Sequence, residues 1–119
     1  MNRVIFVFGS NLSGRHGLGA ARDAKNYWGA EYGVGEGLTG NSYALPTKSK
    51  SLKTLDLCDI QISVNRLIEC TKLNPHMLFY VTAFGTGLAG HSLKDIKSLF
   101  GDFGKLPYNI VFTKDWLDG

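Results

Sequence analysis

The sequence predicts an α/β fold, a three-layer α/β/α sandwich around a mainly parallel or mixed sheet. Three observations carry that prediction. Apolar, β-branched or aromatic runs alternate with longer amphipathic stretches in the order β-α-β-α-β-α-β. Two of those runs, Val4–Phe8 and Met77–Phe84, are continuously apolar or nearly so, as expected of strands covered on both faces. The glycines are gathered into loops, nine of the 15 falling between Gly9 and Gly40.

Each element follows from local residues. Val4–Phe8 reads as the first strand. Gly19–Trp28 has good helix formers, with Ala20, Ala24, Tyr27 and Trp28 forming an apolar side expected to pack. Gly29–Gly40 is too rich in glycine for a regular element. Ser42–Leu45 forms a short strand that Pro46 is expected to stop. Asp56–Leu73 is the clearest helix, with Leu57, Ile60, Val64, Leu67 and Ile68 on one face and Asn74-Pro75 ending it. Met77–Phe84 is the third strand. Ser92–Phe100 is a helix with Ser92 as N-cap and Asp95 placed for a capping box. Tyr108–Phe112 is the last strand.

Composition sets the class of protein. The 119 residues suit one domain, spanning 1–119, and 44% hydrophobic with 19% charged residues is ordinary for a globular fold. The net charge of +3 favours an anionic partner, but no Lys/Arg run or basic-aromatic interleaving marks a nucleic-acid groove. A small phosphorylated ligand suits that charge better. Cys58 and Cys70 lack a C-x-x-C partner and are read as reduced packing residues of a cytoplasmic protein. The histidines and cysteines show no metal-ligand spacing, so neither a metal nor a cofactor is implied. The apolar start of the chain is too short for a signal-peptide core or a membrane span.

In open α/β sheets, ligands bind outside the carboxyl ends of the strands. Those ends carry GSNLSGRHG, PTKSK, GTGLAGH and TKDW, so the unusual residues converge on one rim. Gly9 and Gly14 have P-loop spacing, but Arg15-His16 stands where Lys-Ser/Thr is required, which argues against a nucleoside triphosphatase. What remains is a strand, a loop and a helix start whose unpaired N–H groups attract phosphate. Gly85, Gly87 and Gly90 match the dinucleotide pattern G-x-G-x-x-G. Ser92, however, delays the helix cap beyond Gly90, and only 29 residues follow, too few for the rest of that fold. A run of backbone donors around a diphosphate explains the glycines without a nicotinamide.

Plainer readings stand beside these. The early glycines fit a turn without a ligand, and Lys48 fits a solvated lysine near Lys50 and Lys53. His16 and His91 suit loop bracing as well as proton donation to a phosphate. His76 follows Pro75 at a turn and reads as structural, and the cap is sufficient reason for Asp95.

Three stretches resemble the macro domain: FGSNLSGRHGLGAA after the first strand, YALPTK ending in Lys48, and FYVTAFGTGLAG ending in Gly90. The likeness runs from Val4 to Phe112 and is closest to the ADP-ribosyl-glutamate hydrolase branch; small macro-like proteins of phage-type genomes are also similar. It implies a compact domain that binds ADP-ribose or a related NAD-derived nucleotide. Gly9, Ser10 and Asn11 would lie at the ligand, with Asn11 near the distal ribose. Gly17, Gly19, Gly85, Thr86, Gly87, Leu88 and Ala89 would supply backbone contacts, with Gly90 and His91 closing the late loop. Lys48 would stand where the hydrolase branch has a lysine that attacks the anomeric carbon, a role that needs a deprotonated amine.

Two departures from the branch bear on activity. An aspartate follows Gly-Leu there, whereas Ala89 stands at that position here, leaving His91 or Asp115 to replace it. The upstream strand with its acidic residue for adenine is also missing, so Tyr108, Phe112 or Trp116 would have to stack on the base. Binding is therefore expected ahead of hydrolysis. The alternative is a sponge that sequesters a cyclic or linear nucleotide signal without catalysis.

Overall fold

The computed structural model describes residues 3–117. They form a five-stranded mixed sheet with three α-helices, the α/β class that the sequence predicts. In chain order the elements are β1 (Arg3–Asn11), α1 (Gly19–Tyr27), β2 (Gly37–Thr39), β3 (Ser42–Lys48), α2 (Leu57–Leu73), β4 (Met77–Val81), α3 (Leu93–Ser98) and β5 (Ile110–Phe112). Short 3-10 turns at Phe103–Lys105 and Lys114–Leu117 flank β5.

The spatial order is β2-β3-β1-β4-β5. β1 lies at the centre, parallel to β3 on one side and β4 on the other, and β5 runs parallel to β4. Only β2 is antiparallel, as the hairpin partner of β3. The carboxyl ends of β1, β3, β4 and β5 therefore share one edge.

Side-chain alternation sorts the core into two clusters. Ile5 and Val7 of β1 join Tyr43, Leu45, Phe79 and Val81 with Ile60, Val64 and Leu67 of α2 and Ile96 of α3. Phe6 and Phe8, one residue out of phase, join Ala44 with Ala21 and Ala24 of α1. Each large side chain fully withdrawn from water contributes roughly 1.5–3 kcal/mol. The first cluster is the larger, so α2 is the main anchor of the sheet.

Several local expectations need correction. Pro46 does not stop β3, which continues to Lys48. The β2 pairing reaches only to Ala44, so the missing Pro46 N–H falls where β3 has no neighbour on that side. Gly29–Gly40 is not wholly irregular, because Gly37–Thr39 forms β2 and Gly40-Asn41 makes a two-residue hairpin turn. β1 is longer than expected and takes in Gly9, Ser10 and Asn11. β4 ends at Val81, where Thr82–Phe84 turns into the loop before α3.

The capping expectation holds in its main part. Ser92 Oγ accepts the Asp95 N–H at 3.1 Å. Among the packing expectations, Trp28 stacks on Phe6 with ring centres 5.2 Å apart, but Tyr27 is exposed. Cys70 packs partly buried, where burial pushes its thiol pKa up, whereas Cys58 is exposed rather than packed. No helix among the described residues is long and apolar enough to cross a membrane.

Candidate functional site

A cavity of about 520 Å³ opens along the shared carboxyl edge of the sheet. β1 supplies Gly9, Ser10 and Asn11, the entry to α1 supplies Gly17 and Gly19, and β3 supplies Lys48. The loop after β4 supplies Gly85, Thr86, Gly87, Leu88 and Ala89. Gly90 and His91 do not line it. The two glycine loops, 65 or more residues apart in sequence, thus face one space.

β1 and β3 part company at this edge. Ser10 pairs with Pro46 but Asn11 pairs with Lys48, a register shift that leaves Thr47 unpaired and sets Asn11 beside Lys48. Ser10 is buried and its hydroxyl donates to the Gly35 carbonyl at 2.5 Å. The Asn11 amide is engaged through both its atoms: Nδ2 donates to the Arg15 carbonyl at 2.9 Å, and Oδ1 accepts from Arg15 N–H and Ser13 Oγ. In this state Asn11 braces the loop that precedes α1.

That loop delivers an uncapped helix. The N-cap position of α1 is Leu18, which has no side-chain oxygen to accept the first-turn N–H groups, and the first turn holds no acidic residue. Leu18, Gly19, Ala20 and Ala21 all line the cavity. The positive end of α1 and its unpaired donors therefore bear on the cavity wall.

The loop after β4 presents a second set of donors. Thr86 Oγ1 donates to the Ala83 carbonyl and His91 N–H to the Gly85 carbonyl, which closes the turn. The N–H groups of Gly85 to Ala89 have no acceptor among the described residues. A Cβ placed at Gly87 would meet nothing within 4 Å, so this glycine borders open space.

Lys48 stands at the other side of this loop. Beyond it the chain folds back through a Lys48–Thr54 bridge, and Leu52 at the tip takes φ of 65°, the only non-glycine residue with positive φ among the described ones. Leu52 lines the cavity, and Thr54 Oγ1 donates to the Ala89 carbonyl at 2.8 Å. His91 Nε2 lies 2.8 Å from the Leu55 carbonyl, so its ring joins the same two segments. His91 thus braces the loop.

Among the described residues Asp115 is the one acidic residue that lines the cavity, and its carboxylate accepts the Thr113 hydroxyl. It follows β5, whereas Lys48 ends β3, and three strand positions separate those ends, roughly 14 Å along the sheet. The cavity therefore carries a cation at one flank and a carboxylate at the other. Of the two residues that could replace the acid missing at Ala89, Asp115 lines the cavity and His91 does not.

The aromatic residues expected to stack on a base lie elsewhere. Trp116 is buried, its indole N–H donating to the Val81 carbonyl at 2.8 Å. Phe112 is held among Phe100, Phe103 and Trp116. Tyr108 bonds the Pro75 carbonyl at the amino end of β4, the opposite end of the sheet. None of the three lines the cavity.

Arg15, Leu18, Thr47 and Leu52 line the cavity besides the residues singled out from sequence, as do Ala20 and Ala21 of α1 and Thr82–Phe84 after β4. Arg15 and Asp115 carried a chemical signal in their charge at strand ends, but Leu52 carried none. Away from the cavity, Asp56, Cys58 and Asp59 bring ligand-type atoms within 4.8 Å of one another at the exposed start of α2. Comparison with models of known protein families, with curated proteins and with solved structures finds no match.

Proposed function

We propose that the cavity binds ADP-ribose or a related NAD-derived nucleotide, in a macro-like domain of the cytoplasm. The observation that carries this reading is the convergence of two glycine loops on one cavity, with α1 uncapped there and five consecutive N–H groups without an acceptor among the described residues. Backbone donors of this kind suit a diphosphate, whose charge is spread over several oxygens. Arg15 and Lys48 add positive charge to the cavity lining. The volume falls within the roughly 300–1,000 Å³ of small-molecule sites. The distance between Lys48 and Asp115 favours an elongated ligand, with its anionic part at the loops and a hydrogen-bond donor at the carboxylate.

Binding without turnover is the form of this reading that the side chains support best. Hydrolysis through Lys48 needs a group to move a proton, and Ala89 stands where the hydrolase branch has its aspartate. A protein that sequesters a nucleotide signal uses the same features. Incubation with ADP-ribosylated substrate followed by mass spectrometry separates the two. Sequestration predicts intact ligand released on denaturation, whereas a covalent adduct on Lys48, with turnover abolished in Lys48→Ala, would establish the hydrolase.

A further inference from the structure

Arg15 and Gly17 line the cavity, but the residue between them does not. His16 is 1% exposed, with its ring edge-on to Phe8 at 5.2 Å and to Tyr32 at 6.4 Å. Its Nε2 lies 3.2 Å from the Glu31 carbonyl, which fixes the proton on that nitrogen. Nδ1 is enclosed and has no partner among the described residues. Next to it, Gly14 has φ of 71° and its carbonyl accepts the Gly33 N–H at 2.9 Å. A Cβ at Gly14 would stand 2.3 Å from the Gly33 carbonyl carbon, so only glycine lets the two segments close.

We propose that His16 is a proton-sensitive positioning residue: neutral, it clamps segment 12–18 onto segment 31–34 and so holds Arg15 and Gly17 at the cavity wall, and protonated, it releases them. The chemistry follows from the surroundings. A second ring proton would sit on Nδ1, a buried atom with no partner among the described residues. The groups facing the ring are Phe8 from β1, the Glu31 and Val34 carbonyls and Tyr32 from the loop, and Lys25 from α1, whose ammonium lies 5.2 Å from the Tyr32 ring centre. Burial pushes the His16 pKa below its usual value and Lys25 acts in the same sense, while the two carbonyls oppose them.

The sign is fixed by that direction. In the open segment the ring takes up its proton near pH 6.5, and in the closed segment only at lower pH. Closure is therefore complete above about pH 6.5 and weakens as pH falls, by at most tenfold per pH unit.

Amide hydrogen exchange of the unliganded protein, corrected for intrinsic rates, tests this without reference to any nucleotide. The opening constant of residues 12–18 should rise as pH falls below about 6.5, while amides of β1 and β4 keep their protection. His16→Phe should remove the pH dependence. A flat profile in the parent protein, or the same slope in His16→Phe, overturns the proposal. Should that variant not fold, nitrogen-15 spectra of the parent decide the matter: an Nε2–H tautomer titrating below 6.5 supports the clamp, and ordinary titration refutes it.

Discussion

Thr54 donates its hydroxyl to the Ala89 carbonyl at 2.8 Å, joining the hairpin that follows Lys48 to the loop that follows β4. The bond matters because both segments line the cavity from different strands. It fixes the spacing between the Lys48 flank and the run of unpaired N–H groups, a spacing that a diphosphate ligand would have to match.

Thr54→Val keeps the shape of the side chain and removes this bond. Because Thr54 is exposed, the Ala89 carbonyl can turn to water, and the stability cost should stay near the low end of about 0.5–1.5 kcal/mol. The larger effect is expected on the proposed nucleotide binding, a weakening of several-fold measured by calorimetry. Unchanged affinity would show that the two loops hold their spacing without the stitch.

Asn109 offers a control at the far end of the sheet. It is 1% exposed, and its Nδ2 faces the carbonyls of Thr71, Asn74 and Met77 at 2.9, 3.1 and 3.0 Å. Two hydrogens serve three acceptors, so one contact is shared. Asn109→Leu leaves those carbonyls without their donor and should cost about 1–3 kcal/mol in denaturant unfolding. Ligand affinity of the folded protein should not change, since none of these residues lines the cavity.

Tyr43 sets an alkaline limit. Its ring is buried in the main core, and burial pushes the phenol pKa far above its usual value, with Cys70 and Glu36 adding to the shift and Arg66 opposing it. The unfolded chain releases this proton near pH 10 while the folded protein retains it, so stability falls as pH rises above about 10. The melting temperature should decline less steeply above that pH in Tyr43→Phe than in the parent. Parallel declines would exclude Tyr43 as the source.

The strands and helices were legible because their residues agree with their surroundings. Val4–Phe8 is apolar on both faces and lies at the sheet centre, and Ile60, Val64 and Leu67 repeat at helical spacing and are buried. The extension of β3 past Pro46 was not legible, since it depends on where β2 stops pairing. Gly40-Asn41 is a hairpin signal that the surrounding glycines obscured. The cavity's glycines and Lys48 stood out through their place at strand ends. Leu52 and the uncapped start of α1 depend on backbone conformation, and the burial of His16 and Trp116 depends on tertiary packing, which no local pattern reveals.

The central claim is that the two glycine loops form one nucleotide site, and Gly87 gives access to it. Its backbone suits any residue and a Cβ there meets nothing, so Gly87→Glu should fold with the parent's melting temperature while putting a carboxylate into the cavity. The most direct measurement is calorimetric titration of both proteins with ADP-ribose. The parent should bind saturably, one to one, and Gly87→Glu should not bind. No heat from the parent at millimolar ligand, or equal binding by the two proteins, would contradict the central claim.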